Sequence, residues 1–203
     1  DHTLASHGFV ERVANAAFMA VTPRTAGFNT VDYEQISNPS LLLTLALMWI
    51  GGSPGSTAGG VKTTTAALLA LLFLARLRGR DTVSFANRSV PDATVQRAVG
   101  LAVGGILLLF TFVFALLFTE ISSGSVVTDR ESFVHLVFEA QSALGTVGLS
   151  MNKTADLSPP GRVLIALLMF LGRVGPLAAL EAMARRSRRK QPYRLGREDI
   201  LVG

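Results

Sequence analysis

Residues 98–118 read AVGLAVGGILLLFTFVFALLF, a run of 21 residues without a charged side chain. A helix needs about 20 predominantly apolar residues to cross the hydrocarbon core of a bilayer. Arg97 precedes the run and Glu120 follows it, so charges bound the apolar segment on both sides. This stretch therefore predicts a transmembrane helix over residues 98–118 and places the chain among the all-α membrane proteins.

The composition supports the same class. Of the 203 residues, 49% are hydrophobic and 16% are charged, whereas soluble domains carry about 25% charged residues. The chain contains no cysteine, which excludes disulfides, zinc–thiolate sites and iron–sulfur clusters. Its three histidines, His2, His7 and His135, are too few and too scattered to predict a metal site. We therefore expect neither an ordinary soluble enzyme nor a disordered polar chain.

The positive charge is concentrated beside the apolar segments. The formal net charge is +5, and of the 19 Lys and Arg residues five lie in 76–97 and seven in 184–203. Basic residues that flank membrane helices mark cytoplasmic loops, so this pattern explains the charge without a nucleic-acid partner. We expect a multi-pass protein of the cell membrane, with the C-terminus in the cytoplasm and the N-terminal end of this segment outside.

Two further crossings complete the predicted topology. Residues 39–80 begin after Asn38 with a proline and contain two apolar runs separated by GGSPGSTAGG at 51–60, which predicts a broken inner helix. Irregular backbone at membrane depth must be covered by protein or line a wet cavity. Residues 159–183 form the third crossing. The segments 81–97 and 184–203 are then a cytoplasmic loop and a basic cytoplasmic tail.

An internal repeat relates the two halves of the chain. FMAVT at 18–22 precedes TAGFN at 25–29, and FEAQS at 138–142 precedes TVGLS at 146–150, with offsets of 120 and 121 residues. Each unit predicts a short outer helix (7–20 and 132–143), a glycine-containing turn and a long inward helix. The second unit alone has a preceding membrane helix, so we expect further sequence upstream of Asp1.

Such a unit is typical of a re-entrant pore loop, which places main-chain carbonyls around a permeating cation. Successive carbonyls can point the same way when a residue takes a positive φ, which glycine adopts at little cost. Gly27 and Gly148 occupy the equivalent place in the two units. An ordinary turn between two helices would also favour glycine, but the matched pair favours the pore loop.

Four motifs carry a resemblance to a known family: VTPRTAGFNT at 21–30, GGSPGSTAGGVKTTT at 51–65, SALGTVGLS at 142–150 and GRVGPL at 172–177. The chain resembles the Trk/Ktr/HKT family of potassium transporters over essentially its whole length. GRVGPL and the terminal REDILVG at 197–203 are most similar to the KtrB branch.

The resemblance implies helix–pore loop–helix repeats, four in each polypeptide. Residues 1–80 would be the third repeat without its first helix, and residues 98–183 the fourth. Potassium, the substrate, would bind backbone carbonyls of a selectivity filter, and no cofactor is implied. The resemblance also implies a homodimer in the lipid bilayer and a cytoplasmic ring of nucleotide-binding regulatory subunits, which are separate chains. The implied filter residues are Thr25, Ala26, Gly27, Phe28, Thr146, Val147, Gly148 and Leu149. The implied gate residues are Gly55, Ser56, Thr57, Gly59, Gly60, Lys62 and Arg173.

Arg173 follows Arg162 by 11 residues, which places it about 16 Å deeper along a helix. An arginine near the middle of a membrane costs about 2.5–3.5 kcal/mol on insertion scales. Arg162 can snorkel to the membrane edge. For Arg173 two interpretations remain: a buried ion pair or carbonyl cap, and a fixed charge that opposes cations until a gate moves, which the resemblance favours. Lys62 could line the cavity, hold the loop through its carbonyls, or begin the next helix.

Other functions fit less well. Residues 55–63 are similar to a phosphate-binding G-x-x-x-x-G-K-[ST] loop, but Val61 separates Gly60 from Lys62, and the three predicted membrane crossings decide against a phosphate-binding enzyme. Glu139 and His135 lie four residues apart, and we expect them to face solvent or a loop and not to act in catalysis. The chain is therefore not predicted to be an enzyme. A non-conducting assembly or scaffold role stays open, as do the potassium over sodium preference and channel against coupled transport.

Overall fold

The computed structural model describes residues 8–56, 58–80, 82–85, 88–122 and 130–188, with backbone alone for residues 122, 130 and 176–188. Thr57 of the expected gate, the motif at 197–203 and the end of the basic tail lie outside the described residues. The prediction of a helical fold is confirmed. The described elements are helices α1 (Phe9–Val21), α2 (Asn38–Trp49), α3 (Thr63–Leu77), α4 (Asp92–Ser122), α5 (Arg130–Gly145) and α6 (Pro159–Arg188), two 3₁₀ turns (Tyr33–Gln35 and Lys153–Asp156), and strands β1 (Ser84–Phe85) and β2 (Arg88–Ser89).

Helix α4 contains the apolar run 98–118 but begins six residues earlier, at Asp92. Its acidic first residue is favourable at the positive end of the helix dipole, and Arg97 does not interrupt the helical backbone. Within the described residues, Asp92–Ile121 is the one helix long and apolar enough to cross a membrane, with a mean hydropathy of 2.7. Only 11% of its apolar window is buried inside the chain, so most of this helix faces outward.

The segment 81–97, predicted as a cytoplasmic loop, is not a loop over its whole length, and its cytoplasmic side stays a prediction. Strands β1 and β2 pair antiparallel, with Ser84 opposite Ser89, and α4 then occupies the rest of the segment. The predicted start of the helix directly after Arg97 was wrong, because α4 already begins at Asp92. A single charged residue such as Arg97 does not end a helix.

The segment 39–80 consists of two short helices, α2 of 12 residues and α3 of 15. The connecting loop, residues 51–62, joins them, and its described residues, 51–56 and 58–62, are not helical. Its two ends are held together: Gly51 N donates to Val61 O at 2.8 Å, Val61 N to Trp49 O at 3.2 Å, and Thr63 N to Gly52 O at 3.2 Å. These bonds satisfy backbone groups that the interrupted helix leaves open.

The repeat extends further than the sequence motifs suggested. The order α1, 3₁₀ turn, α2 recurs as α5, 3₁₀ turn, α6. The outer helices predicted at 7–20 and 132–143 are Phe9–Val21 and Arg130–Gly145. Thr22, the residue that follows α1 and precedes Pro23, keeps a helical backbone at φ −57° and ψ −33°. Pro23, which has no N–H, is where the hydrogen-bonded pattern of α1 stops.

Helix α5 lies at the centre of the described structure. One buried cluster joins it to α4 and α6 through Leu116, Leu136 and Leu168. A second cluster joins it to the first unit through Tyr33, Met48 and Phe138. The rings of Tyr33 and Phe138 lie 5.3 Å apart. Since α5 leads directly into the turn at 146–149, both clusters fix the position of that turn.

Candidate functional site

Two turns with matching sequence lie in backbone contact. We call residues 25–28 the first turn and residues 146–149 the second turn. A Cβ atom built on Gly27 would lie 2.4 Å from Val147 O and 3.3 Å from the Cα of Gly148. A Cβ on Gly148 would lie 3.5 Å from the Cα of Gly27. Gly27 and Gly148, which hold equivalent places in the repeat, are therefore direct neighbours. Gly27 has no room for a side chain.

The two turns share an unusual backbone. In the first turn Thr25 and Gly27 have φ values of 69° and 75°, and in the second turn Thr146 and Gly148 have values of 51° and 92°. The residue between each pair does not share the positive φ. Reversing the handedness at every second residue turns successive carbonyls toward the same side, which an ordinary strand does not do. The arrangement can therefore present several carbonyls to one bound cation.

The positive φ at two threonines was not anticipated. A β-branched residue with positive φ is a genuine outlier, and such conformations cost about 1–3 kcal/mol each. The second turn is held by a double cap, because Val147 N donates to Ser142 O at 2.9 Å and Thr146 N to Ala143 O at 3.1 Å. These caps satisfy the end of α5 while Thr146 takes the left-handed position that glycine usually occupies.

The first turn is held differently. Ala26 N donates to Thr22 O at 3.1 Å, and the buried hydroxyl of Thr22 donates to Phe28 O. The Phe28 side chain is 72% exposed, whereas Leu149 at the corresponding place is 3% exposed. The second turn is thus packed into the chain, and the first turn leaves its outer side uncovered.

The connecting loop touches the second turn. Gly59 N donates to Thr146 Oγ1 at 2.9 Å, and a Cβ on Gly59 would lie 2.5 Å from the same oxygen and 2.9 Å from Gly145 O. Gly55 and Gly60 take φ values of 85° and 70°. The glycines of this loop therefore allow sharp turns and a close approach to α5.

Lys62 holds the connecting loop. Its Nζ donates to Ala58 O at 2.6 Å and to Ser56 O at 3.2 Å. Among the three roles considered for Lys62, this geometry matches the one in which the ammonium binds loop carbonyls. Ser56 adds a further bond, from its hydroxyl to Ser53 O at 2.7 Å.

The two arginines of α6 have different surroundings. Arg162 donates from Nε to Leu157 O at 3.0 Å and from a terminal nitrogen to Ala155 O at 2.7 Å, so it caps the preceding segment. Arg173 has an exposed side chain in this chain. Its role, as a buried ion pair or carbonyl cap or as a fixed charge that opposes cations, stays a prediction.

Glu139 is a polar group whose role the sequence reading missed. Its side chain is 5% exposed and faces the loop after the second turn, where it accepts hydrogen bonds from Ser150, Met151 N and Thr154. The prediction that Glu139 faces either solvent or a loop is correct for the loop and wrong for solvent. The sequence signal for this role is the pair of hydroxyl residues Ser150 and Thr154, which lie 11 and 15 positions after Glu139. They reach Glu139 only because the second turn folds the chain back toward α5.

These features define a class. An apolar outward-facing helix, a broken helix and two turns in backbone contact are features of a helical membrane protein. A family model described as TrkH, cation transport protein, matches residues 1–187, and the chain therefore belongs to this family. The resemblance noted from the motifs is confirmed.

Two of the curated relatives are named as uptake proteins. The potassium/sodium uptake protein NtpJ of Enterococcus hirae is 38% identical over 202 residues, which cover 99% of this chain and 44% of that protein. The Ktr system potassium uptake protein B of Bacillus subtilis is 36% identical over 183 residues, covering 90% of this chain and 39% of that protein. The chain thus spans less than half the length of these relatives.

A solved structure shares the fold. The potassium transporter TrkH from Vibrio parahaemolyticus matches with a TM-score of 0.70 at 21% identity, covering 90% of this chain and 39% of that chain. The match includes both repeat units, because it spans nine-tenths of the chain.

Proposed function

We propose that this chain supplies two pore loops of a potassium uptake protein. The carbonyls of Thr25, Ala26, Gly27, Thr146, Val147 and Gly148 contact the dehydrated ion. The single observation that carries the proposal is the matched pair of alternating positive φ values at a point of backbone contact. The names of the relatives, which are potassium uptake proteins, support potassium as the substrate.

Carbonyl oxygens replace the hydration shell of the ion as it enters the filter. Two turns surround a cation on one side, so the remaining oxygens come from other pore loops. Relatives more than twice as long as this chain support two further repeats in the same polypeptide. A second copy of the two-loop unit would be the other source of four loops.

The connecting loop serves as the gate in this proposal. It lies against the second turn through Gly59 and Thr146, and Lys62 holds it by two carbonyls. A loop fixed by a few hydrogen bonds, and not by a continuous helix, can move without unfolding its neighbours. Arg173 adds a fixed positive charge that opposes cation passage in the closed state.

The basic segments 76–97 and 184–203 support the proposed sides of the membrane, and the family resemblance supports the proposed partners. The β1–β2 hairpin and the tail after α6 face the cytoplasm, and the two turns open to the outside. A homodimer in the bilayer, gated by a cytoplasmic ring of nucleotide-binding subunits, fits this orientation.

Ion flux into liposomes tests the proposal. The complete protein that contains this segment is reconstituted, and uptake of potassium is measured with and without competing sodium. We expect the unaltered protein to take up potassium. We expect Gly148→Ser to impair this uptake, because a side chain at φ 92° distorts the carbonyls of the turn. Gly104→Ser is the matched control, since a Cβ there meets nothing within 4 Å. A protein that inserts normally but carries no cation would support the scaffold role instead.

A further inference from the structure

A buried carboxylate lies behind the second turn and is not used by the proposed ion path. Glu139 is on α5, seven residues before Thr146, and is 5% exposed. The described residues include no basic side chain that forms an ion pair with it. Its stabilising partners are hydrogen-bond donors, and a carboxylate that accepts such bonds makes them shorter and stronger than neutral groups do.

All three donors come from the chain that leaves the second turn. Ser150 Oγ and Met151 N, at 3.0 Å, share Oε1, and Thr154 Oγ1 donates to Oε2 at 2.6 Å. Ser150 directly follows Leu149, the last residue of the turn. One carboxylate therefore connects the helix that enters the turn to the segment that leaves it.

The first unit has a related contact at the same positions. With the repeat offsets of 120 and 121 residues, Glu139 corresponds to Met19, and Thr154 corresponds to Tyr33. Tyr33 Oη lies 3.8 Å from the sulfur of Met19, as a donor to it. Both units thus join the outer helix to the following 3₁₀ turn, but the first uses a weak thioether acceptor and the second a carboxylate with three donors.

We propose that Glu139 is a positioning residue that fixes the carbonyls of the second turn and so sets cation preference. This inference rests on the proposed function. Discrimination among cations depends on the number and placement of the carbonyls around the ion. We call the hydrogen bonds from Ser150, Met151 and Thr154 to Glu139 the Glu139 clamp. Without this clamp the segment after the second turn is held to α5 by the turn and by apolar packing, and the turn then adapts more readily to a smaller ion.

The test is cation competition with the complete protein, produced in a bacterial host that lacks its own potassium uptake. Glu139→Gln keeps the size of the side chain but turns an acceptor oxygen into a donor that faces other donors. We expect a fall of about tenfold in the preference for potassium over sodium, the size expected for losing a hydrogen bond to a charged group. The KM for potassium rises, at unchanged abundance in the membrane.

Two controls separate positioning from general stability. Glu131→Gln changes an exposed glutamate on the same helix, and Met19→Leu removes the weaker acceptor of the first unit; both are expected to keep the preference. Thr154→Val, which removes one donor, is expected to lower the preference less than Glu139→Gln does. Adding Thr154→Val to Glu139→Gln is expected to change little, because the two residues act through one interaction.

The inference is overturned if Glu139→Gln and Thr154→Val lower only protein abundance and leave the potassium preference and KM unchanged. If Gly148→Ser alters the preference for potassium over sodium while Glu139→Gln and Thr154→Val do not, the positioning role of Glu139 is wrong and the filter proposal stands. If the unaltered protein moves no potassium, the proposed function is wrong, and so is the positioning role of Glu139.

Discussion

Gly27 and Gly148 hold equivalent positions in the repeat but meet different neighbours. A Cβ on Gly27 would collide with Val147 O at 2.4 Å, whereas a Cβ on Gly148 would make an ordinary contact at 3.5 Å. Both residues have positive φ. The first glycine is therefore required by space and by backbone conformation, and the second by backbone conformation alone.

This difference predicts unequal effects of alanine. Gly148→Ala should cost about 1–3 kcal/mol, the strain of an alanine at positive φ, and Gly27→Ala should cost more because it also pushes the two turns apart. Thermal unfolding of the purified complete protein, together with potassium uptake, measures both. Gly104→Ala is the control, because a methyl group there meets open space. Equal losses at Gly27 and Gly148 would contradict the proximity of the turns.

The Thr146 hydroxyl joins the second turn to the connecting loop. Thr146→Val keeps the β-branched shape but leaves the Gly59 N–H without its acceptor, at a cost of about 1–3 kcal/mol. We expect altered opening of the gate, seen as changed potassium uptake. Thr25→Val, at the equivalent place in the first turn, is the matched variant. If both substitutions have the same effect, the contact with the loop does not govern the gate.

At the scale of elements, the connecting loop separates two short helices that would otherwise form one crossing. Lys62 closes the loop on itself through the carbonyls of Ser56 and Ala58. These bonds are local and few, so they can be released while α2 and α3 stay folded.

Lys62→Met is expected to loosen the loop and to raise basal cation leak. Arg173→Ala is expected to raise leak as well, by removing a positive charge that repels cations. Lys153→Met is the control, because that lysine pairs with Asp156 at 3.9 Å in the other unit. Flux in proteoliposomes without added regulatory subunits measures the leak. Leak at the unaltered level in both Lys62→Met and Arg173→Ala would argue against a gate at this loop.

Helix α4 could be predicted from its long apolar run, and the short helices α2 and α3 from apolar runs bounded by a proline, glycines and charges. The repeat was visible because its motifs recur with nearly constant offset. The left-handed backbone of Thr25 and Thr146 could not be predicted, since residue type argues against it and only the surrounding caps hold it. The clamp at Glu139 depends on hydrogen bonds across a turn, which a periodic pattern does not reveal.

At the scale of the whole molecule, much of the apolar surface is uncovered in this chain. Phe110, Phe114 and Phe118 on one face of α4 are 72%, 66% and 69% exposed. Their spacing of four residues gives a continuous stripe along the helix. Lipid, or further parts of the complete protein, would cover this stripe.

The orientation of the chain in the membrane makes a direct prediction. Ser89→Cys on the hairpin should react with an impermeant thiol reagent only from the cytoplasmic side. Ala155→Cys, between the second turn and α6, should react only from the outside. Labelling of intact cells and of inverted vesicles, in a background without other reactive cysteines, measures both. The reverse pattern would contradict the assignment from the basic segments.

In the function proposed above, the two turns bind the transported ion by their backbone carbonyls. The most direct measurement is a structure of the complete protein with thallium, a potassium substitute that anomalous scattering can locate. We expect an anomalous peak in direct contact with carbonyls of Thr25, Ala26, Thr146 and Val147, and we expect this peak to be lost when excess potassium is added. Thallium bound elsewhere along the transport path, with these carbonyls unoccupied, would contradict it.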